Sequence, residues 1–132
     1  MPGCVLRATG DAFQPESFLA GSSFSPCNVF HKGEYKAKQR VCDTSGMTIV
    51  VGEASNDSFV QQIQGAVRFL KINKDQLARL RNQSGLEAME LDFGVYRIDG
   101  FLQTSFFPAE LISLAGSLDI GITLSIYGDY EG

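Results

Sequence analysis

The sequence predicts an α+β fold, a two-layer arrangement with a largely antiparallel sheet and helices on one face. Three observations predict it. Met89, Leu91, Phe93 and Val95 alternate with Glu90, Asp92, Gly94 and Tyr96, and Ile120, Ile122, Leu124 and Ile126 alternate with Gly121, Thr123, Ser125 and Tyr127. Both are period-two patterns of strands with one covered face. Between them and the N-terminus, Phe59, Ile63, Ala66, Val67 and Leu70 recur at helical spacing. The elements follow one another as βαββ-αα-ββαβ, without the strict strand–helix alternation of a wholly parallel sheet.

Taken in order, residues 4–9 read as a strand that Gly10-Asp11 ends, and residues 15–20 as a short helix opened by Pro15 and stopped by Gly21. Residues 26–31 are extended and Lys32-Gly33 turns the chain. Residues 35–42 form a strand with Lys36, Lys38 and Arg40 on one face. Thr44-Ser45-Gly46 leads into a strand over 47–53, with Met47, Ile49 and Val51 on one side. Asn56-Asp57-Ser58 offers capping oxygens to the long helix, Asn73 interrupts it, and residues 74–82 continue as a second helix before Gly85.

After the strand through Met89, Asp99-Gly100 predicts a tight hairpin turn whose return strand covers 101–106. Residues 108–116 make a Pro-started helix with Leu111, Ile112 and Leu114 inward, and residues 119–128 close the fold as a strand. The two Pro-started helices, each ending in Ala-Gly, suggest a pseudo-repeat. No linker divides the chain, so residues 1–132 are expected to form a single domain.

Composition narrows the class. Of 132 residues, 44% are hydrophobic and 20% charged, too apolar for a disordered chain. No apolar run approaches the roughly 20 residues of a membrane-spanning helix, and the N-terminus shows no secretory pattern, so a cytoplasmic protein without membrane contact is expected. Three cysteines, Cys4, Cys27 and Cys42, read as thiols of a reducing compartment. Charge is uneven: residues 1–86 carry ten Lys and Arg against seven acids, whereas residues 87–132 carry Arg97 against eight acids. Such a division would steer a partner if it survived folding.

The first strand leading to Gly10-Asp11 and Pro15-Glu16, then Pro26, then His31-Lys32-Gly33-Glu34, resembles the bacterial family catalogued as domain of unknown function 4279. The central helix pair and the closing Pro-started helix before an alternating strand extend the resemblance over residues 5–127. Where that family often begins a strand with Trp, this chain has Met47-Thr48-Ile49 and no Trp at all. The resemblance implies no activity, cofactor or site residue.

The sharpest chemical candidate is a metal site. Cys27, His31 and Cys42, with Cys4 as a fourth donor, offer the residue types of tetrahedral zinc, though not its usual Cys-x-x-Cys knuckle. The same thiols serve equally as small buried strand residues. Cys27 or Cys42 activated by His31 would be a thiol nucleophile, and His31 is the sole histidine available. Glu90 and Asp92 share a polar strand face, where carboxylates are ordinarily solvated. No phosphate-binding glycine motif occurs, and no cofactor is expected.

The stripe Tyr35, Lys36, Lys38 and Arg40 is the candidate binding surface. On an acidic chain it suits an acidic protein partner, or a guarded sheet edge, better than a nucleic acid. The leading expectation is therefore a small non-catalytic interaction module that binds a protein partner or forms a homo-oligomer, with toxin neutralisation as one such role. The alternative is a small-molecule or metal-binding domain, enzymatic or not, built on Cys27, His31 and Cys42.

Overall fold

Strand β1 (Cys4–Gly10) carries strands on both sides in the computed structural model, which describes residues 3–36, 40–52 and 58–128. Its Cys4, Leu6 and Ala8 are buried while Val5, Arg7 and Thr9 are only half-buried, the alternation of a strand covered on one face. The five-stranded sheet has the order β2-β5-β1-β6-β7, with β2 (Asn28–Phe30), β5 (Ser45–Val51), β6 (Ala88–Tyr96) and β7 (Ile120–Tyr127). Three of its four pairings are antiparallel, and β6 with β7 is parallel.

Because β5 and β6 are both antiparallel to β1, they run parallel to each other with β1 between them. The connection between them is the helix pair α2 (Phe59–Ile72) and α3 (Lys74–Arg81). Helix α1 (Pro15–Leu19) likewise links β1 to β2, which run parallel and straddle β5, whereas α4 (Ala109–Ser117) links the immediate neighbours β6 and β7. The two Pro-started helices thus occupy different kinds of crossover.

The four helices among the described residues cover one face. Phe18 of α1, Ile63, Ala66 and Leu70 of α2, Leu77 and Leu80 of α3, and Leu111 and Ala115 of α4 join Leu6, Met47, Leu91 and Phe93 in one apolar cluster. Ser58 caps α2 by accepting the Gln61 N–H, as its position before the apolar stripe predicts. Where α3 returns to the sheet, glycine is required: a Cβ on Gly10 would lie 2.0 Å from the Gly85 carbonyl oxygen, and Gly85 itself has φ +84°.

Three expectations are corrected. Residues 101–106 form no return strand; β6 already has β1 on one side and β7 on the other, so a hairpin partner has no edge to join. The amide of Gln103 takes part of that role instead, donating to the Tyr96 carbonyl (2.9 Å) and accepting from the Ile98 N–H (3.2 Å). Residues 35–42 are not one strand but a folded-back pair, β3 (Tyr35–Lys36) and β4 (Arg40–Val41), in which Tyr35 faces Val41 and Lys36 faces Arg40. Reciprocal bonds from Gly33 N–H to the Cys42 carbonyl and from Cys42 N–H to the Glu34 carbonyl hold its base. Finally, Ile112 points away from the core, 53% exposed, while Leu111 is fully buried. Among the described residues, no helix is long and apolar enough to cross a membrane.

Candidate interaction surface

The sheet face without helices carries a polar network on three of its five strands, β1, β6 and β7. Arg7 lies opposite Glu90 in register, and its guanidinium donates to both Glu90 (2.5 Å) and Asp92 (3.1 Å). Thr123 donates to the other Glu90 oxygen (2.7 Å), and Ser125 to the other Asp92 oxygen (2.6 Å). Period two places these five side chains on one face, and each carboxylate is held at both oxygens. Burial lowers the pKa of Arg7, but the hydrogen bonds to Glu90 and Asp92 outweigh it and leave the guanidinium raised.

The expected division of charge dissolves here. Acids of the C-terminal segment pair with cations of the N-terminal one: Arg7 with Glu90 and Asp92, Lys71 with Glu110 (3.0 Å), and Arg81 with Asp119 (3.4 Å). Sheet pairing brought Arg7 to its acids, and helix packing brought the other two pairs together, which composition by segment does not register.

The end of the sheet where β6 and β7 finish is different in character. Tyr96 and Tyr127 are partners in the parallel register, their rings packed edge-to-face at 6.3 Å, and the Arg97 N–H donates to the Tyr127 carbonyl. In the segment that leaves this end, residues 97–108, only the last aromatic packs against the core: Phe107, partly buried, lies edge-to-face against Phe59 and Phe93 (both 5.4 Å). Ile98, Phe101, Leu102 and Phe106 are exposed, Phe101 completely, and so is Ile126 of β7. The sequence does not reveal this exposed set, because the segment after Asp99-Gly100 reads as a return strand over 101–106.

Strand β7 is also an edge of the sheet. It is eight residues long and has no charged residue and no proline, the usual guards of an open edge. The other edge, β2, is three residues long.

Of the candidate binding stripe, Tyr35 is 80% exposed and Arg40 is exposed on the β3–β4 hairpin. Lys36 lies opposite Arg40 in register, and Lys38 lies outside the described residues. The candidate metal residues are engaged separately. Cys27 is exposed and its thiol donates to the Thr48 carbonyl (3.4 Å), while Cys42 and Cys4 are buried. Burial, with the nearby Asp92 adding to it, pushes the Cys4 thiol up to about 12, which keeps it protonated and unreactive.

His31 sits between two carboxylates, Nδ1 at 2.7 Å from Glu34 and Nε2 at 2.6 Å from Glu16, with its own N–H also on Glu34. The hydrogen bonds to Glu34 and then Glu16 hold the imidazole above its ordinary value, and Glu34 is held below its own. His31 therefore ties the turn after β2 to helix α1. Among the described residues, no group of three or more His, Cys, Asp or Glu side chains is placed to hold a metal ion.

Two grooves flank α2: one of about 380 Å³ between Val51-Gly52 and Gln61, Gln62, Gln64, Gly65 and Arg68, and one of about 440 Å³ lined by Val67, Ile72 and the Lys71–Glu110 pair among others. Cys27, His31 and Cys42 line neither of them. No family model, curated protein or solved structure matches this chain.

Proposed function

We propose that this protein is a small non-catalytic interaction module that binds a protein partner through the end of the sheet where β6 and β7 finish. The observation that carries the reading is the exposure of Ile98, Phe101, Leu102 and Phe106 in one segment, which starts at the Arg97 N–H bond to the Tyr127 carbonyl. Single exposed apolar residues are ordinary, but four aromatic and branched side chains exposed within one short segment are what a partner's surface removes from water. The network around Arg7 supports a binding rather than a catalytic role for the open face. Its carboxylates are mutually satisfied by Arg7, Thr123 and Ser125, which suits a rigid platform.

The test is reconstitution with a partner identified by co-purification, comparing wild type with Phe101→Asp combined with Phe106→Asp. Both side chains are in solvent, so the melting temperature should stay unchanged while Kd rises at least about tenfold. A Lys36→Glu, Lys38→Glu variant in the same assay reports whether the hairpin also touches the partner. Affinity unchanged in the Phe101/Phe106 variant would remove this end of the molecule from the reading.

A further inference from the structure

Resting on that reading, we infer that the partner at this end is a second copy of the chain, joined through the outer edge of β7 so that two five-stranded sheets become one of ten strands. Among the described residues no strand pairs with that edge. It extends roughly 26 Å, at about 3.3 Å for each of its eight residues.

Self-pairing is favoured by how the strand matches itself. A two-fold axis normal to the sheet near Thr123 sets β7 antiparallel to its copy and keeps the two faces apart. The apolar row Ile120, Ile122, Leu124 and Ile126 then meets its own kind on the helix side, while on the open side Thr123 meets its copy and Ser125 meets Gly121. Charge points the same way. The chain as a whole is −4, which opposes association of identical copies, yet residues 120–128 carry no charge, so the contact sets no like charges opposite one another.

Helix α4 supplies an independent feature of the same contact. Leu111 and Ala115 face the sheet and Glu110 reaches Lys71 of α2, so Ile112, on the other side of Leu111, lies on the flank turned away from α2. Helix α2 packs over β5 and β6 whereas α4 packs over β7, so that flank borders the sheet's outer edge. Ile112 is exposed there, and near it a Cβ on Gly116 would meet nothing within 4 Å, leaving room for the α4 of a second copy. Edge strand and helix flank therefore present one apolar strip to the same two-fold axis.

The test is analytical ultracentrifugation of wild type, Ile126→Lys and Ile112→Glu, with hydrogen exchange over residues 120–127. Both substituted side chains are exposed, so the variants should keep the wild-type circular dichroism, with the melting temperature lowered only by the share that dimerisation contributes. The expected result is a wild-type species at twice the 14.4 kDa chain mass. Each variant should dissociate at least about tenfold more readily, and slow exchange of the β7 amides that do not bond to β6 should be lost in Ile126→Lys. Wild type that stays monomeric at about 1 mM, or a dimer that neither substitution weakens, would overturn the inference. In either case, loss of a different partner's binding in the Phe101/Phe106 variant would leave the interaction-module reading standing, and unchanged binding there would remove that reading too.

Discussion

The side-chain amide of Gln62 on α2 grips the backbone of Gly94 on β6 from both directions. Its Nε2 donates to the Gly94 carbonyl at 2.8 Å and its Oε1 accepts the Gly94 N–H at 3.2 Å. Strand β1 begins opposite Phe93, one residue short of this point, so the amide extends the pairing of β6 beyond the end of its neighbour. The Gly94 N–H is shared with the Gly3 carbonyl (3.0 Å), which marks the same place as the limit of β1. A polar residue on the buried face of α2 is thus explained by a sheet position that lacks a strand, since buried peptide groups need partners.

Replacing Gln62 by Leu keeps the bulk but removes both bonds. Gln62 is only 3% exposed, so the Gly94 carbonyl loses this donor where water does not replace it. The expected cost is about 1–3 kcal/mol, read as a lower urea midpoint with an unchanged slope. A variant as stable as wild type would mean that the amide holds nothing.

The three thiols should differ sharply in reactivity. Cys27 is exposed, whereas Cys4 and Cys42 are buried and Cys4 is held protonated with its pKa at about 12. Titration of the native protein with a disulfide-exchange reagent should therefore modify one thiol rapidly, and unfolding in guanidinium should release the other two. In a Cys27→Ser variant the rapid phase should vanish. Fast native modification of Cys4 would contradict its placement in the core.

The tie between His31 and the two glutamates sets a pH window. His31 has its pKa raised above the ordinary 6.5, so its share of stability is complete below that value and is lost as pH rises through the raised one. Glu34 is lowered from 4.5, so its share is present above that value and is lost as pH falls through the lowered one. The link between α1 and the turn after β2 is therefore firmest from about pH 4.5 to 6.5. An NMR titration of the His31 ring should give a value above that of a free imidazole. Glu34→Gln and Glu16→Gln should each lower it, and a ring that titrates identically in all three proteins would show that the carboxylates do not reach it.

Local patterns foretold most elements because each was dictated by neighbours in the chain. The alternation of Met89, Leu91, Phe93 and Val95, the stripe from Phe59 to Leu70 behind the Ser58 cap, and the interruption at Asn73 all appear as read. The candidate surface was much less legible. Tyr35 and Arg40 lie on an exposed hairpin, but residues 101–106 read as a return strand, Ile112 reads as inward, and nothing in the pattern singles out Ile98. An isolated apolar run carries no sign of whether an edge remains for it to join.

Periodicity, caps and turn residues in the sequence by themselves determined an α+β chain, its helices, and the strands with one dry face, because those depend on residues within a few positions of each other. Only the tertiary structure decided that β6 would be filled on both sides, that the acids near the C-terminus would meet Arg7, Lys71 and Arg81, and that β7 would be left as an open edge. Those outcomes depend on which strand takes which neighbour, and that competition is settled between residues far apart in the chain.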